Sequence, residues 1–430
     1  MNIAGSITNT SDYLGKKILK KIKADDLCML SPESRLRMIG GHLKNIIEKE
    51  KIIISQKEVS RLAREIHEDS FGFGPISFLI SDDRITEIMI NNYDQVYVEE
   101  GAVIKKTDII FRDNNHIRNL VDKTLSPLGL RIDESSPMVD ARLKNGSRIN
   151  VVLNPAASND IVVTIRKFKK NMMDTESLIK EGTVNKAVAE FIKACVRSKL
   201  NIIISGATST GKTTFLNVLS NFIRQYERIV TIEETLELNL NLPHVVKLEG
   251  RPPNLEGKGE ITIRDLVRNS LRMRPDRIVV GEIRGVEAVD VLQAMNTGHS
   301  GSMTTVHSNS PKDMISRLET MILMSGLNLN PSTARRMIAS SVDMIIHLDK
   351  LKNGKRVVAR ISELKNKGES IGDNTVLEVK DIFRYQIRDK IVDSEGSHEG
   401  NIVNTGYVPD FMEKIKSRGF DFNFKNEKLE

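Results

Sequence analysis

The stretch NIIISGATSTGKTTF, residues 201–215, decides how the rest of the chain is read. NIIIS is a short apolar run of the kind that forms a buried strand, and TTFLNVLSNFI after it has the spacing of an amphipathic helix. Between them Gly206, Gly211, Lys212 and Thr213 fill the pattern G-x-x-x-x-G-K-[ST]. Strand, glycine-bearing loop and helix N-terminus in that order turn backbone N–H groups toward one point, where an anion is held. Gly206, Ala207, Thr208, Ser209, Thr210, Gly211, Lys212, Thr213 and Thr214 are therefore the expected nucleotide-binding residues. The glycines let the backbone approach, Lys212 is placed to bridge the β- and γ-phosphates, and the Thr213 hydroxyl is placed to bind Mg²⁺.

Outward from the loop, helix and strand patterns alternate: AVAEFIKACVRS before it, then RIVTIE, IRDLVRNSLR and RIVVGEI after it. Continuous apolar strands between helices predict a parallel sheet covered on both faces, an α/β fold. Earlier in the chain the texture differs. Residues 31–72 read as a small helical module, and 73–168 as an α+β domain with the runs ITEIMIN, QVYVEE, VIKKTDIIF, MVDARL, RINVVL and IVVTIRKF. Residues 169–180 read as a linker, 181–385 as the phosphate-loop domain and 386–430 as a charged tail.

A phosphate loop needs carboxylates to hold the metal through water and to orient the attacking water. Glu282 in RIVVGEIRG, and Glu233, Glu234 and Glu237 in RIVTIEETLEL, stand where apolar strands end, the edge at which open α/β sheets bind ligands. TGHSGSMTTVHS follows the Glu282 strand by one helix, so His299 and His307 are expected beside the phosphates, on the next strand and its preceding loop.

MVDARLKNGSRINVVL reads as a hairpin. A three-residue loop, 144–146 with Gly146 left-handed, puts Val139, Ala141 and Leu143 on one face with Ile149, Val151 and Leu153, and sets Arg142 opposite Arg148. Like charges facing each other on a sheet need an anion between them. Two candidates stand: Asp140, or a nucleotide phosphate reached across a domain or subunit boundary by Arg142, Arg148 or Arg166 as an arginine finger.

The formal charge of +7 comes from 64 basic and 57 acidic residues interspersed, so the balance does not by itself point to nucleic acid. Two cysteines, Cys28 and Cys195, far apart and without CxxC spacing, point to a reducing compartment. Neither a leader pattern nor a run of about 18 apolar residues is visible, which places the expected protein in the cytoplasm. Residues 1–30 read as a flexible basic segment. Within it SDYLGKKILKKIKADDL has an apolar stripe of Leu14, Ile18, Leu19 and Ile22 flanked by lysines. Such a helix either lies on an anionic membrane surface or packs on a neighbour.

GATSTGKTTFLN, RIVTIEETLEL, EGKGEITIRDLVRNSLRMRPDRIVVGEIRG and AMNTGHSGSMTTVHSNSPKDMISRLETMI together resemble the secretion ATPases of type II and type IV machines, in the order of Walker A, Asp box, Walker B and His box. DESSPMVDARLKNGSRIN and RPPNLEGKGEITIRDLVRNSLRMRPDRIVVGEIRG resemble the CpaF-type branch, which serves tight-adherence (Tad/Flp) pili. The resemblance covers roughly residues 70–365. It implies a RecA-like P-loop ATPase domain preceded by an α+β (PAS-like) domain and a helical module. It further implies a cytoplasmic homo-hexamer using ATP and Mg²⁺, peripheral to the inner membrane, whose domain motions drive a polytopic platform protein. By resemblance Glu282 is the Walker B glutamate, Glu233 the leading acid of the Asp box, and His299 and His307 the His-box pair. Arg142, Arg148 and Arg166 are finger candidates, and Thr213 and Glu234 hold Mg²⁺, Glu234 through water. Glu234 stands where the family commonly has aspartate, and Ser300 where an acid is frequent.

Two other functions compete. A DNA-translocating or conjugative motor would share the nucleotide core, but aromatics are 4% of the chain and no basic stripe is concentrated, so direct nucleic-acid contact is not expected. A scaffold that binds ATP without hydrolysing it would not need Lys212, Thr213 and Glu282 together.

Overall fold

Strand alternation in the first part of the chain and helix–strand alternation around the phosphate loop build two separate units, divided at Lys170 and Asn171. The computed structural model describes residues 17, 30–50, 52, 54–101, 103–143, 145–168, 173–253, 257–366, 376–392, 398–422 and 424, with side chains 388–399 left out. The lysine-rich stripe of residues 11–26 lies outside the described residues apart from Lys17, as do Cys28 and Lys144.

In the first unit α1 (Pro32–Glu50) and α2 (Gln56–Phe71) form an antiparallel-type pair by apolar spacing of three and four. Ile39, Leu43, Ile46 and Ile47 pack on Val59, Leu62, Ala63 and Ile66. The start of α2 is set by a capping box between Ser55 and Glu58. After the short α3 (Ser77–Ser81) come β1 (Ile85–Asn92), β2 (Gln95–Glu100), β3 (Val103–Lys106), α4 (Asn114–Leu125), β4 (Met138–Arg142), β5 (Arg148–Leu153) and β6 (Ile161–Arg166). The six strands make one antiparallel sheet in the order β3-β2-β1-β6-β5-β4. Ile117, Leu120, Val121 and Leu125 of α4 close its apolar face. VIKKTDIIF is a strand only over β3; beyond it Phe111 leaves the sheet and buries itself in the core, 1% exposed.

The β4–β5 hairpin takes the longer loop. Leu143 N–H bonds to Ser147 O, Gly146 N–H bonds to Leu143 O, and Gly146 has φ +88°. In that register Leu143, Ile149, Val151 and Leu153 are buried, and Val139 and Ala141 pack against the same core.

The second unit contains α5 (Thr175–Lys180), α6 (Lys186–Arg197), β7 (Ile202–Gly206), α7 (Lys212–Ser220), β8 (Ile229–Glu233), β9 (Val245–Glu249), α8 (Ile263–Ser270), β10 (Arg277–Ile283), α9 (Ala288–Asn296), β11 (Met303–His307), α10 (Pro311–Leu323), α11 (Pro331–Ser341), β12 (Met344–Lys350), β13 (Arg356–Asn366), β14 (Leu377–Val392), β15 (His398–Asn404) and α12 (Met412–Lys416). Its nine-stranded sheet runs β15-β14-β13-β12-β7-β11-β10-β8-β9. The six strands from β12 to β9 are parallel, while β13, β14 and β15 add antiparallel. Period-two alternation sorts the apolar side chains onto two faces. Ile202, Ile204, Val279 and Met303 meet α6 and α7, and Ile203, Val230, Ile232 and Val280 meet α8 to α11. This is the RecA-like α/β arrangement.

Two expected boundaries change. The chain beyond 386 is not a tail: β15 extends the sheet, and Ile402, Phe411, Met412, Ile415 and Phe424 join the core beside α6. Phe191 gathers Phe383, Phe422 and Phe424 at ring distances of 5.1, 5.5 and 5.7 Å. Val408, Phe411, Met412 and Ile415 carry helical spacing and Phe420, Phe422 and Phe424 alternate, a local signal outweighed in the reading by the surrounding charges; convergence on Phe191 makes them a layer. The expected linker ends early for a similar reason, since 175–180 is helical and Leu178 is buried in the same core.

Candidate functional site

Parallel strands bring the ends of β7, β11, β10 and β8 to one edge of the sheet, and the phosphate loop leaves from the first of them. The loop is shaped by what its glycines omit. A Cβ on Gly206 would meet Leu348 O at 2.6 Å and Thr210 Oγ1 at 2.7 Å, and Gly211 has φ +89°. Thr210 Oγ1 and Lys212 Nζ both donate to Ala207 O at 2.8 Å, folding the loop on itself. Helix α7 starts at Lys212 with no side-chain cap, whereas Ser55, Asp113, Asn185, Thr262, Ser310 and Asn330 cap other helices. Its first N–H groups are left to the loop, the arrangement that suits a phosphate. Ala207, Thr208, Ser209 and Thr214 are exposed, Thr213 half-buried.

A chain of charged contacts crosses the strand ends. Lys212 is 6% exposed, and burial, the largest influence, brings its pKa down to about 8 against the pull of Glu282. Its Nζ lies 3.2 Å from His307 Nδ1. An ammonium only donates, so Nδ1 accepts and the imidazole proton stands on Nε2. That Nε2 lies 2.9 Å from Glu282 Oε1, within ion-pair range though off the angle of a hydrogen bond, which leaves this buried oxygen with lone pairs unengaged. Burial first, then the cations Lys212, Arg284 and Arg317, hold His307 below the ordinary histidine value, with Glu282 opposing them. Glu282 Oε2 takes a bond from Arg284 Nη2 at 2.8 Å, and Arg284 Nη1 reaches Glu234 at 2.7 Å.

Glu233 sits apart from this chain. It is 4% exposed, its Oε1 accepts N–H bonds from Glu237 and Leu238 at 2.9 Å, and Oε2 is buried without a partner. Burial drives its pKa to about 7 in spite of those two bonds. Gly281 makes room for it, since a Cβ there would lie 2.9 Å from Glu233 Cγ.

The structure separates the two histidines expected together. His307 ends β11 opposite Gly206, but His299 precedes that strand and lies at the other edge of the sheet. Four strand residues, Met303 to Val306, about 13 Å at ~3.3 Å each, intervene. A strand presents its two ends to opposite edges, so a loop before it and a residue at its end are not neighbours. The arginines form a row on one face of the first unit's sheet: Arg142 opposite Arg148, Arg148 opposite Arg166, then Glu87 and Glu99. Asp140, the competing anion, takes a bond from Asn150 Nδ2 at 3.2 Å.

Two residues of the loop region were missed by sequence reasoning. Arg284 lies two positions after Glu282 in GEIRG, a spacing that puts both on one side of an extended chain and was a usable signal. Arg356, whose Nε donates to Ser209 O at 3.0 Å, had none, being 147 residues away along the chain.

The donors fit a nucleotide phosphate, through the cradle kept open by Gly206 and Gly211 and the uncapped start of α7. Among the described residues no group of three or more His, Cys, Asp or Glu could hold a metal alone. A magnesium ion here would take the Thr213 hydroxyl and nucleotide oxygens, the usual mode for that ion, with Glu234 or Glu282 acting through water.

The family described as Type II/IV secretion system protein matches this chain over residues 69–370. A Mycobacterium tuberculosis protein named for conjugal transfer is 34% identical over 319 residues, covering 73% of this chain and 90% of that protein. The type IV secretion system protein VirB11 of Brucella suis biovar 1 is 28% identical over 306 residues, covering 65% and 85%. Among solved structures, that of the Brucella suis VirB11 ATPase in complex with sulphate has 27% identity and a TM-score of 0.38, covering 67% of this chain and 95% of that one.

Proposed function

Because this chain belongs to the type II/IV secretion system protein family and is an ATPase of that family, we propose that it works as a hexameric motor. Its hydrolysis of ATP drives assembly of a tight-adherence pilus, or secretion of its subunits, through a membrane platform protein. The observation that carries this reading is the contact chain from Lys212 through His307 to Glu282, Arg284 and Glu234 at the mouth of the phosphate loop.

In this reading the loop N–H groups and Lys212 bind the phosphates, and Glu282 accepts the proton of the attacking water. His307 stands between Lys212 and Glu282, its Nε2 2.9 Å from the carboxylate. Bound magnesium supplies charge for the phosphate oxygens. Arg142, Arg148 and Arg166 act as fingers on a nucleotide bound by a neighbouring subunit. The resemblance of DESSPMVDARLKNGSRIN to the CpaF-type branch supports the pilus assignment. No helix of the described residues is long and apolar enough to cross a membrane, and we place the motor at the cytoplasmic side of the inner membrane through its platform.

If the fingers come from a neighbour, turnover per chain rises with protein concentration as the oligomer assembles. Steady-state phosphate release across a dilution series, with sedimentation in parallel, checks this. Constant turnover in a demonstrated monomer overturns the hexamer. A conjugative motor is the second reading, favoured by the relative named for conjugal transfer at 34% identity. Neighbouring reading frames encoding pilin and two platform proteins, or a relaxase instead, separate the two.

A further inference from the structure

The hairpin formed by β12 and β13 returns to grip the phosphate loop from the side away from Glu282. β12 runs beside β7 with Leu348 opposite Gly206, and the Leu348 carbonyl oxygen fills the space where a Gly206 Cβ would stand. The chain then turns through residues 351–355, with Leu351 N–H bonded to Lys355 O at 2.8 Å and Gly354 at φ +81°. β13 sets out from that turn with Arg356 opposite Lys350.

Arg356 touches the loop at two points. Its Nε donates to Ser209 O at 3.0 Å, and its Cδ stands 3.2 Å from where a Cβ on Gly211 would be. Ser209 has φ +62°, one of three described non-glycine residues in the left-handed region, a conformation costing about 1 kcal/mol or more. A serine there must be held by its surroundings. Among the described residues Arg356 forms no ion pair with a carboxylate, and its side-chain hydrogen bond there is to the loop.

The geometry points to Arg356 as a positioning residue that sets the loop's hydrogen-bond donors. The peptide after Ser209 is planar and trans, so its carbonyl oxygen and the Thr210 N–H point in opposite directions. A guanidinium holding the oxygen on the hairpin side turns that N–H to the inner side of the loop, where a phosphate oxygen is to be bound. Removal of the hold lets the peptide rotate and the left-handed Ser209 relax. The effect therefore falls on affinity for the nucleotide, ATP and ADP alike, and not on the chemical step. This rests on reading residues 206–213 as the nucleotide loop.

Full-length wild type, Arg356→Ala, Arg356→Lys and Lys352→Ala are titrated with fluorescent ATP and ADP analogues and assayed for turnover. Arg356→Ala is expected to weaken both nucleotides about tenfold, the worth of one charge-assisted bond, with kcat at saturation within about twofold. Arg356→Lys, whose ammonium also donates to a carbonyl, recovers most of the affinity. Lys352→Ala, exposed on the same turn, binds as wild type. Unchanged affinity in Arg356→Ala, a loss confined to kcat, or an equal loss in Lys352→Ala overturns the role of Arg356. A wild type that binds neither nucleotide overturns the loop reading itself.

Discussion

Arg277 and Arg284 stand at opposite ends of β10, and their surroundings differ in kind. Arg277, the first residue of the strand, is 0% exposed and makes a two-pronged pair with Glu227, at 2.8 and 3.0 Å, plus bonds to Val196 O and Gly301 O. Lys199 adds a second cation at 3.4 Å. Burial alone would push Glu227 up, but Arg277 and then Lys199 outweigh it and hold the carboxyl below its ordinary value. Arg284, just past the other end, is half exposed and divides itself between Glu282 and Glu234. One cluster has its charges matched and its donors engaged, so it holds a single arrangement. The other is half exposed and shares one guanidinium between two carboxylates, so its partners change at little cost, which is what a site that binds and releases an anion requires.

That contrast breaks first at Glu282. Glu282→Gln is expected to lower phosphate release roughly 10²- to 10⁴-fold while nucleotide titration shows affinity within a few-fold. Wild-type turnover would move the base elsewhere. At the other end Arg277→Met leaves Glu227 buried without its main partner, expected to cost about 3–5 kcal/mol in denaturant unfolding. Turnover per folded chain should be unaltered, and a drop in it would erase the distinction between the two ends.

Glu233 sharpens the comparison because it is buried like Glu227 yet lacks a guanidinium. Its folded pKa of about 7 lies above the ordinary 4.5, so the fold prefers its protonated form. Its contribution to stability is full below about 4.5 and is lost as pH rises through about 7. Glu233→Gln removes that dependence and should gain up to about 3 kcal/mol on wild type between pH 4.5 and pH 8, read from unfolding curves at both. Parallel curves would mean that Glu233 ionises normally. The smallest effect concerns the histidines: His307→Ala is expected to lower turnover about tenfold or more, and His299→Ala less than about threefold, as for a residue outside the reacting groups. A larger loss at His299 would place the far edge of the sheet in the reaction.

Local chemistry explains which features were legible. The loop, β7 and α7 are contiguous, so a short pattern specifies them together, and the Arg142–Arg148 pairing follows from one turn and strict alternation. The distance between His299 and His307 was misread because both lie in one short motif, while a strand between them carries its ends to opposite edges. The C-terminal layer was misread because the charge of the segment was weighed above its pattern: Val408, Phe411, Met412 and Ile415 are spaced as on a helix and Phe420, Phe422 and Phe424 alternate, while which core they join is settled only around Phe191.

By itself the sequence determined the phosphate loop, the carboxylates at the strand ends, the α+β first unit and the α/β second one, since these rest on spacing over a few residues. Only the tertiary structure decided that His307 links Lys212 to Glu282, that Arg284 joins Glu282 to Glu234, and that Arg356 reaches Ser209. Those contacts join strands far apart in sequence, and their register is set by packing of the whole sheet, which no local pattern contains.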